Sequence, residues 1–153
     1  MKPRIPPPVI WLLAAFLMWS LHHWAPLRQL LIGPWTWLAL FPVALALAII
    51  LSANVRFSRA QTTINPLKPE LASSLVTHGI YGISRNPMYL GLTLMLIAWA
   101  LWLGTLSPWI LVMLFPIIIS YVQIIPEERA LEKLFGESYR DYRKRVARWI
   151  GRR

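Results

Sequence analysis

Four stretches of the chain are mostly apolar for sixteen to twenty residues, from about Val9 to Trp24, Trp35 to Asn54, Met88 to Leu103 and Leu106 to Ile125. A helix that crosses a bilayer needs about 20 mostly apolar residues, within a range of about 17–25. The pattern therefore predicts four transmembrane helices. Lys2, Arg4 and Pro6-Pro7-Pro8 precede the first stretch in the layout of a signal peptide, but no small-x-small cleavage site follows Leu21-His22-His23-Trp24, so the helix is expected to be retained. Pro34 suits the first position of the second helix. Pro116 lies inside the fourth, which lipid tolerates where neighbouring helices satisfy the freed carbonyl. The short uncharged turn from Leu103 to Pro108 predicts that the last two helices form an antiparallel hairpin.

Polar residues gather into two blocks, the loop 55–87 and the tail from Pro126 onward. From Glu128 to Ile150 the tail is amphipathic: Leu131, Leu134, Phe135, Tyr139, Tyr142, Val146, Trp149 and Ile150 recur at helical spacings among Lys and Arg, with Gly136 as a break. This predicts an interfacial helix on anionic lipid, acting as an anchor or as a lid over a site at the helix ends. The fold class is thus all-α integral membrane, about four transmembrane helices plus a C-terminal amphipathic interfacial segment. Residues 1–54 form two N-terminal helices, and 55–153 a core of loop, hairpin and basic tail.

Charge orients this arrangement. With four spans, fifteen of the sixteen Lys and Arg fall on one side of the membrane, and only Arg28 lies opposite; three or five spans would spoil the partition. Basic loops face the cytoplasm, so both termini are expected there. All six acids (Glu70, Glu127, Glu128, Glu132, Glu137 and Asp141) share that side, which makes it the place for polar chemistry. A formal charge of +10 would suggest nucleic acid in a soluble chain. Here the charge sits at the ends of apolar segments, so anionic membrane lipids are the expected partner and nucleic acid is not. With 57% hydrophobic residues in 153, a soluble domain has too little interior for its apolar surface.

The absence of cysteine excludes disulfides, thiolate metal centres and a thiol nucleophile. His22 and His23 are adjacent and would point about 100° apart on a helix; His78 stands alone, and no metal site is expected. Trp24, Trp35, Trp37, Trp102 and Trp109 lie near span ends as interface anchors. The sequence has no Walker motif, Gly-rich dinucleotide fingerprint or Ser-His-Asp arrangement.

Two polar constellations remain. Asn86-Pro87 reads as a cap and first residue of the third helix. The same helix start offers unbonded amides to a carboxylate or phosphate, with Arg85, Tyr81 and Tyr89 beside it. Pro126-Glu127-Glu128 likewise reads either as a helix start with acids in its first turn or as an acidic pair for a cationic ligand or its hydroxyls. Arg85, Glu127 and Glu128 are the candidate catalytic residues.

Taken in order, Leu75-Val76-Thr77-x-Gly79-x-Tyr81, Arg85-Asn86-Pro87-x-Tyr89, Glu127-Glu128 and Phe135-Gly136-x-x-Tyr139-x-x-Tyr142 resemble the isoprenylcysteine carboxyl methyltransferase and phospholipid methyltransferase group of membrane enzymes. Thr63-Ile64-Asn65-Pro66 fits as well, and the likeness covers about residues 55–150. The resemblance implies S-adenosylmethionine as methyl donor, with S-adenosylhomocysteine as product, bound at the cytoplasmic ends of the last helices and enclosed by the tail. It implies cofactor contacts from Leu75, Val76, Tyr81, Asn86, Pro87, Met88, Tyr89 and Glu127, and a lipophilic acceptor that enters from the bilayer for carboxyl or amine methylation.

Two positions depart from the eukaryotic prenylcysteine enzymes. Asn86 replaces a His, as in bacterial-type relatives, which points to a bacterial inner membrane. Gln123, the candidate substrate-binding residue, replaces an Arg that engages the acceptor's carboxylate. A neutral Gln is a poor carboxylate clamp, so an amine lipid or a small hydrophobic acid fits as well as prenylcysteine. The competing readings are an NADPH-dependent reductase on a related membrane core, and a non-enzymatic membrane protein that binds lipid or a partner.

Overall fold

Pro7 and Pro8 open the first helix, where a missing amide costs nothing because the first-turn amides have no partner inside a helix. Helix α1 runs over Pro7–Trp24 in the computed structural model, which describes residues 5–59 and 74–152. A 3₁₀-helix at Gly33–Ala39 leads into α2 (Leu40–Arg59). A one-turn helix at Gly79–Gly82 precedes α3 (Pro87–Leu103), and α4 follows over Trp109–Ile119. The wide turn Ser120–Ile124 joins α4 to α5 (Ile125–Phe135), and α6 spans Glu137–Arg145. No strand forms among the described residues, only two isolated bridges.

Two stretches, Gly33–Arg56 and Trp109–Phe135, are long and apolar enough to cross a membrane; Pro87–Leu103 is apolar but shorter. Leu12, Leu13 and Phe16 on α1, Phe41 and Leu51 on α2, and Ile110, Met113 and Ile117 on α4 all stand exposed. A monomeric protein in water rarely shows apolar patches beyond a few hundred Å², whereas hydrocarbon solvates such a surface without penalty.

The core between α1, α3 and α4 is built on Met18, Leu96, Ala100, Phe115 and Ile119. Two indoles tie α1 to α3: Trp11 Nε1 donates to the Leu92 carbonyl at 3.0 Å and Trp99 Nε1 to that of Ala15 at 3.1 Å. Small residues bring α2 against α3. Ala39, Ala46 and Ala53 are buried at seven-residue intervals, and a Cβ on Gly91 would lie 2.5 Å from Ile50 Cγ1. Helices in lipid associate through such close backbone approach. Gly91→Ala is therefore expected to push the pair apart and cost about 1–3 kcal/mol, as overpacking does. Denaturant unfolding in detergent measures it.

The far end is closed by the chain itself. Gly104 caps α3 at φ 72°, and its carbonyl accepts the Leu30 and Leu31 amides at 2.7 and 3.1 Å. A Cβ at Gly104 would lie 2.6 Å from the Leu31 oxygen. His22 Nδ1 shares a 2.9 Å hydrogen bond with Thr105 Oγ1.

The structure corrects the sequence reading at two places. The fourth apolar helix does not stop at Pro126. Helix continues through it to Phe135 by way of the wide turn Ser120–Ile124, where the Ile125 amide reaches back to the Ser120 carbonyl. The tail is helical to Arg145 and not to Ile150: Val146 is extended, and residues beyond it turn back, with the Ala147 amide bonding the Gly151 carbonyl at 2.9 Å and the Gly151 amide bonding that of Ile83 at 2.9 Å. Its apolar residues at helical spacing include Tyr139, Tyr142 and Val146, all buried against protein. The Thr63–Pro66 motif, Lys68 and Glu70 lie outside the described residues.

Candidate functional site

The end of α2, the one-turn helix, the start of α3 and the whole of α6 meet in a second core of Ala53, Tyr81, Tyr139, Tyr142 and Val146. Gly136, at φ 54°, breaks the helix so that α6 turns back over this core. Tyr142 Oη donates to the Tyr81 carbonyl at 2.6 Å and fastens α6 to the one-turn helix. Leu75, Val76 and Met88 pack against the same cluster.

Above it lies a buried charge network. Arg85 Nη1 reaches Glu128 Oε1 at 2.9 Å and donates to Tyr139 Oη at 3.3 Å. Arg148 takes the same carboxylate in a two-pronged grip, Nε to Oε1 at 3.1 Å and Nη2 to Oε2 at 2.7 Å. Hydrogen bonding to Glu128 holds the Arg148 guanidinium above its ordinary value. The backbone repeats the attachment: the Arg85 amide donates to the Ala147 carbonyl at 3.1 Å, and Asn86 Nδ2 to that of Arg148 at 3.1 Å. Asn86 thus occupies the cap position of α3 without capping it; its side chain binds the tail instead.

Glu127 is turned about 100° from Glu128 on the helix. Its Oε1 accepts a 2.5 Å hydrogen bond from Tyr89 Oη. Tyr89 stands in the first turn of α3, where amides lack partners within the helix. Of the candidate cofactor contacts, Tyr81, Asn86, Tyr89 and Glu127 therefore gather at the start of α3, with Pro87 buried and Leu75, Val76 and Met88 on the neighbouring core. The three catalytic candidates separate into two settings, with Arg85 and Glu128 paired to each other and Glu127 on Tyr89. Gln123 is fully buried in the wide turn. Its Nε2 donates to the Ile5 carbonyl, and its Oε1 has no hydrogen-bond partner among the described residues.

Sequence reasoning did not single out Arg148. Nothing sets it apart from the other basic residues of the tail, and only the turn after Arg145 brings it to Glu128. Tyr139 and Tyr142 were legible as one helix face, though not as the roof over Tyr81. Among the described residues, no three side chains group as metal ligands.

Burial pushes the phenols up, that of Tyr139 to about 12 and those of Tyr81 and Tyr142 further above the ordinary range. A raised folded-state value stabilises the fold below the unfolded phenol value near 10, and that contribution is lost as pH rises through the folded value. The docked tail is therefore expected to loosen between pH 10 and about 12. Phenolate absorbance checks this: Tyr81, Tyr139 and Tyr142 should ionise later than in denatured protein.

The family described as phospholipid methyltransferase matches residues 34–138, over two thirds of the chain. An uncharacterized protein of Haemophilus influenzae is 48% identical over 63 residues, which are 41% of this chain and all of that protein. No solved structure matches the chain. The family match holds Leu75 through Glu128 and ends before Tyr139, Tyr142 and Arg148.

Proposed function

The chain belongs to the phospholipid methyltransferase family, and from that premise we propose that it transfers a methyl group from S-adenosylmethionine to a lipophilic acceptor arriving from the bilayer. The observation that carries this reading is the Glu127 carboxylate, hydrogen-bonded to Tyr89 in the first turn of α3. The donor's amino-acid end has an ammonium and a carboxylate, and its ribose has two hydroxyls. An acidic oxygen beside the amides of a helix start offers complementary partners to each, so the residues present fit the group. Tyr81, Asn86 and Met88 border the same helix start and would complete its walls.

The bound donor supplies an electrophilic methyl on a sulfonium, already a good leaving group. The protein then has little covalent work. Its residues align the two reactants and keep water out. Glu127 and the α3 amides would fix the donor's polar end. Arg85, Glu128 and Arg148 would act by holding the tail against α3, closing the cytoplasmic side. Gln123, a neutral amide, suits a hydroxyl or amine on the acceptor better than a carboxylate.

In this reading all four long helices cross the membrane, both termini lie in the cytoplasm, and the basic outer face of α6 rests against anionic head groups. Incubating the protein in vesicles of bacterial lipid with methyl-labelled S-adenosylmethionine is the test. Label should pass into the organic extract, and less of it with Gln123→Leu. An extract that stays unlabelled across amine, hydroxyl and acid lipids would overturn the proposal.

A further inference from the structure

Against the one-turn helix lies a cleft of about 550 Å³, bordered by Thr77, His78, Ile83, Tyr142, Arg145 and Arg152. Arg56 adds a third guanidinium at its edge. Its Nε comes within 2.6 Å of where a Cβ on Gly79 would stand, and Gly79 is itself a lining residue, at φ 68°. Only glycine leaves room for that arginine and adopts that backbone without strain.

Among the described residues, no carboxylate lies within ion-pair distance of these arginines. Each described carboxylate is engaged elsewhere: Glu128 with Arg85 and Arg148, Glu127 with Tyr89, and Glu132, Glu137 and Asp141 with cations of α6. Arg145 touches its own helix through Nε to the Asp141 carbonyl at 3.4 Å, and no carboxylate among the described residues pairs with Arg56, Arg145 or Arg152. A concave site whose described lining holds two guanidinium groups and no acid selects a compact anion with several acceptor oxygens.

We propose that this cleft binds a phosphate group, gripped by Arg145 and Arg152 with Arg56 and the Thr77 hydroxyl behind. Ile83 on the cleft wall is exposed, and Val146 in the same lining adds to the apolar side of the cleft. That side favours a phosphate presented on a lipid over one free in solution. The site is a single stoichiometric one, distinct from diffuse attraction between a basic tail and a charged membrane.

The test titrates the full chain in an uncharged detergent with short-chain phosphatidic acid, inorganic phosphate and short-chain phosphatidylcholine, followed by calorimetry. Phosphatidic acid should saturate one site, and phosphatidylcholine should bind at least about tenfold more weakly. The double variant Arg145→Gln with Arg152→Gln should weaken the phosphatidic acid site by about tenfold or more. Arg140→Gln with Lys144→Gln removes the same charge from paired positions of α6 and should leave the site unchanged. Equal affinity for inorganic phosphate keeps the phosphate site and assigns it to a free anion. Absence of saturable binding by folded protein, or equal losses from the two double variants, would overturn the proposal.

Discussion

Glu127→Gln is expected to abolish binding of S-adenosylmethionine while leaving the protein folded. The substitution keeps the shape of the side chain and an oxygen for the Tyr89 hydroxyl, whose 2.5 Å hydrogen bond holds α5 to the start of α3. What it removes is the negative charge. A partly buried carboxylate facing a cationic ligand loses about 2–5 kcal/mol of binding when neutralised, at least about a thirtyfold weaker complex. Calorimetry on the variant reads the loss, and its thermal unfolding, compared with the parent, shows that the fold persists. Normal binding by the variant would leave Glu127 as a first-turn residue of α5 and no more.

The neighbouring glutamate should behave in the opposite way. Glu128→Gln is expected to destabilise the polar end of the molecule by about 3–5 kcal/mol, the usual cost of leaving a buried charge uncompensated. The side chain of Arg85 is 4% exposed and that of Glu128 is 8% exposed, so neither reaches water once its partner is gone. Arg148 is 36% exposed at the same carboxylate, and solvent takes up its charge if the pair is broken. Arg148→Gln should therefore cost about 1 kcal/mol or less. Limited proteolysis after Arg145 gives a local readout, with Glu128→Gln cut fastest. A double variant, Arg85→Met with Glu128→Leu, should recover most of the loss, since an apolar pair of similar volume needs no desolvation. Equal destabilisation by Glu128→Gln and Arg148→Gln would show that the network is not the anchor of the tail.

Much of this architecture is legible in the chain because proline marks it. Pro7, Pro34 and Pro87 stand at the first or second position of helical segments, where the missing amide is harmless. The same rule misleads at Pro126. A proline followed by two acids reads as a helix start whether or not helix precedes it, and only the wide turn at Ser120–Ile124 shows that the helix runs on. In the tail, the spacing of Tyr139 and Tyr142 states that one face is covered. Periodicity does not distinguish a cover of lipid from a cover of protein, and here Ala53 and Tyr81 supply it.

The site was readable in part for a related reason. Tyr81, Asn86 and Tyr89 fall within one short segment, so their neighbourhood follows from local geometry. Glu127 joins them from 38 residues away, and Arg148 reaches Glu128 across 20. Contacts of that separation depend on how helices dock, which hydrophobic pattern leaves open. Asn86 shows the limit at a single residue. It has the identity and position of a cap, yet its side chain bonds the Arg148 carbonyl because the returning tail offers a nearer partner.

The central claim is the identity of the methyl donor. Purified protein in detergent, titrated with S-adenosylmethionine, S-adenosylhomocysteine and NADPH by calorimetry, tests it directly. The account predicts saturable binding of the first two at one shared site and none of NADPH. Binding of NADPH alone would contradict it and move the chain to reductase chemistry on a similar membrane core, and binding of none of the three by folded protein would contradict it in favour of a non-enzymatic role.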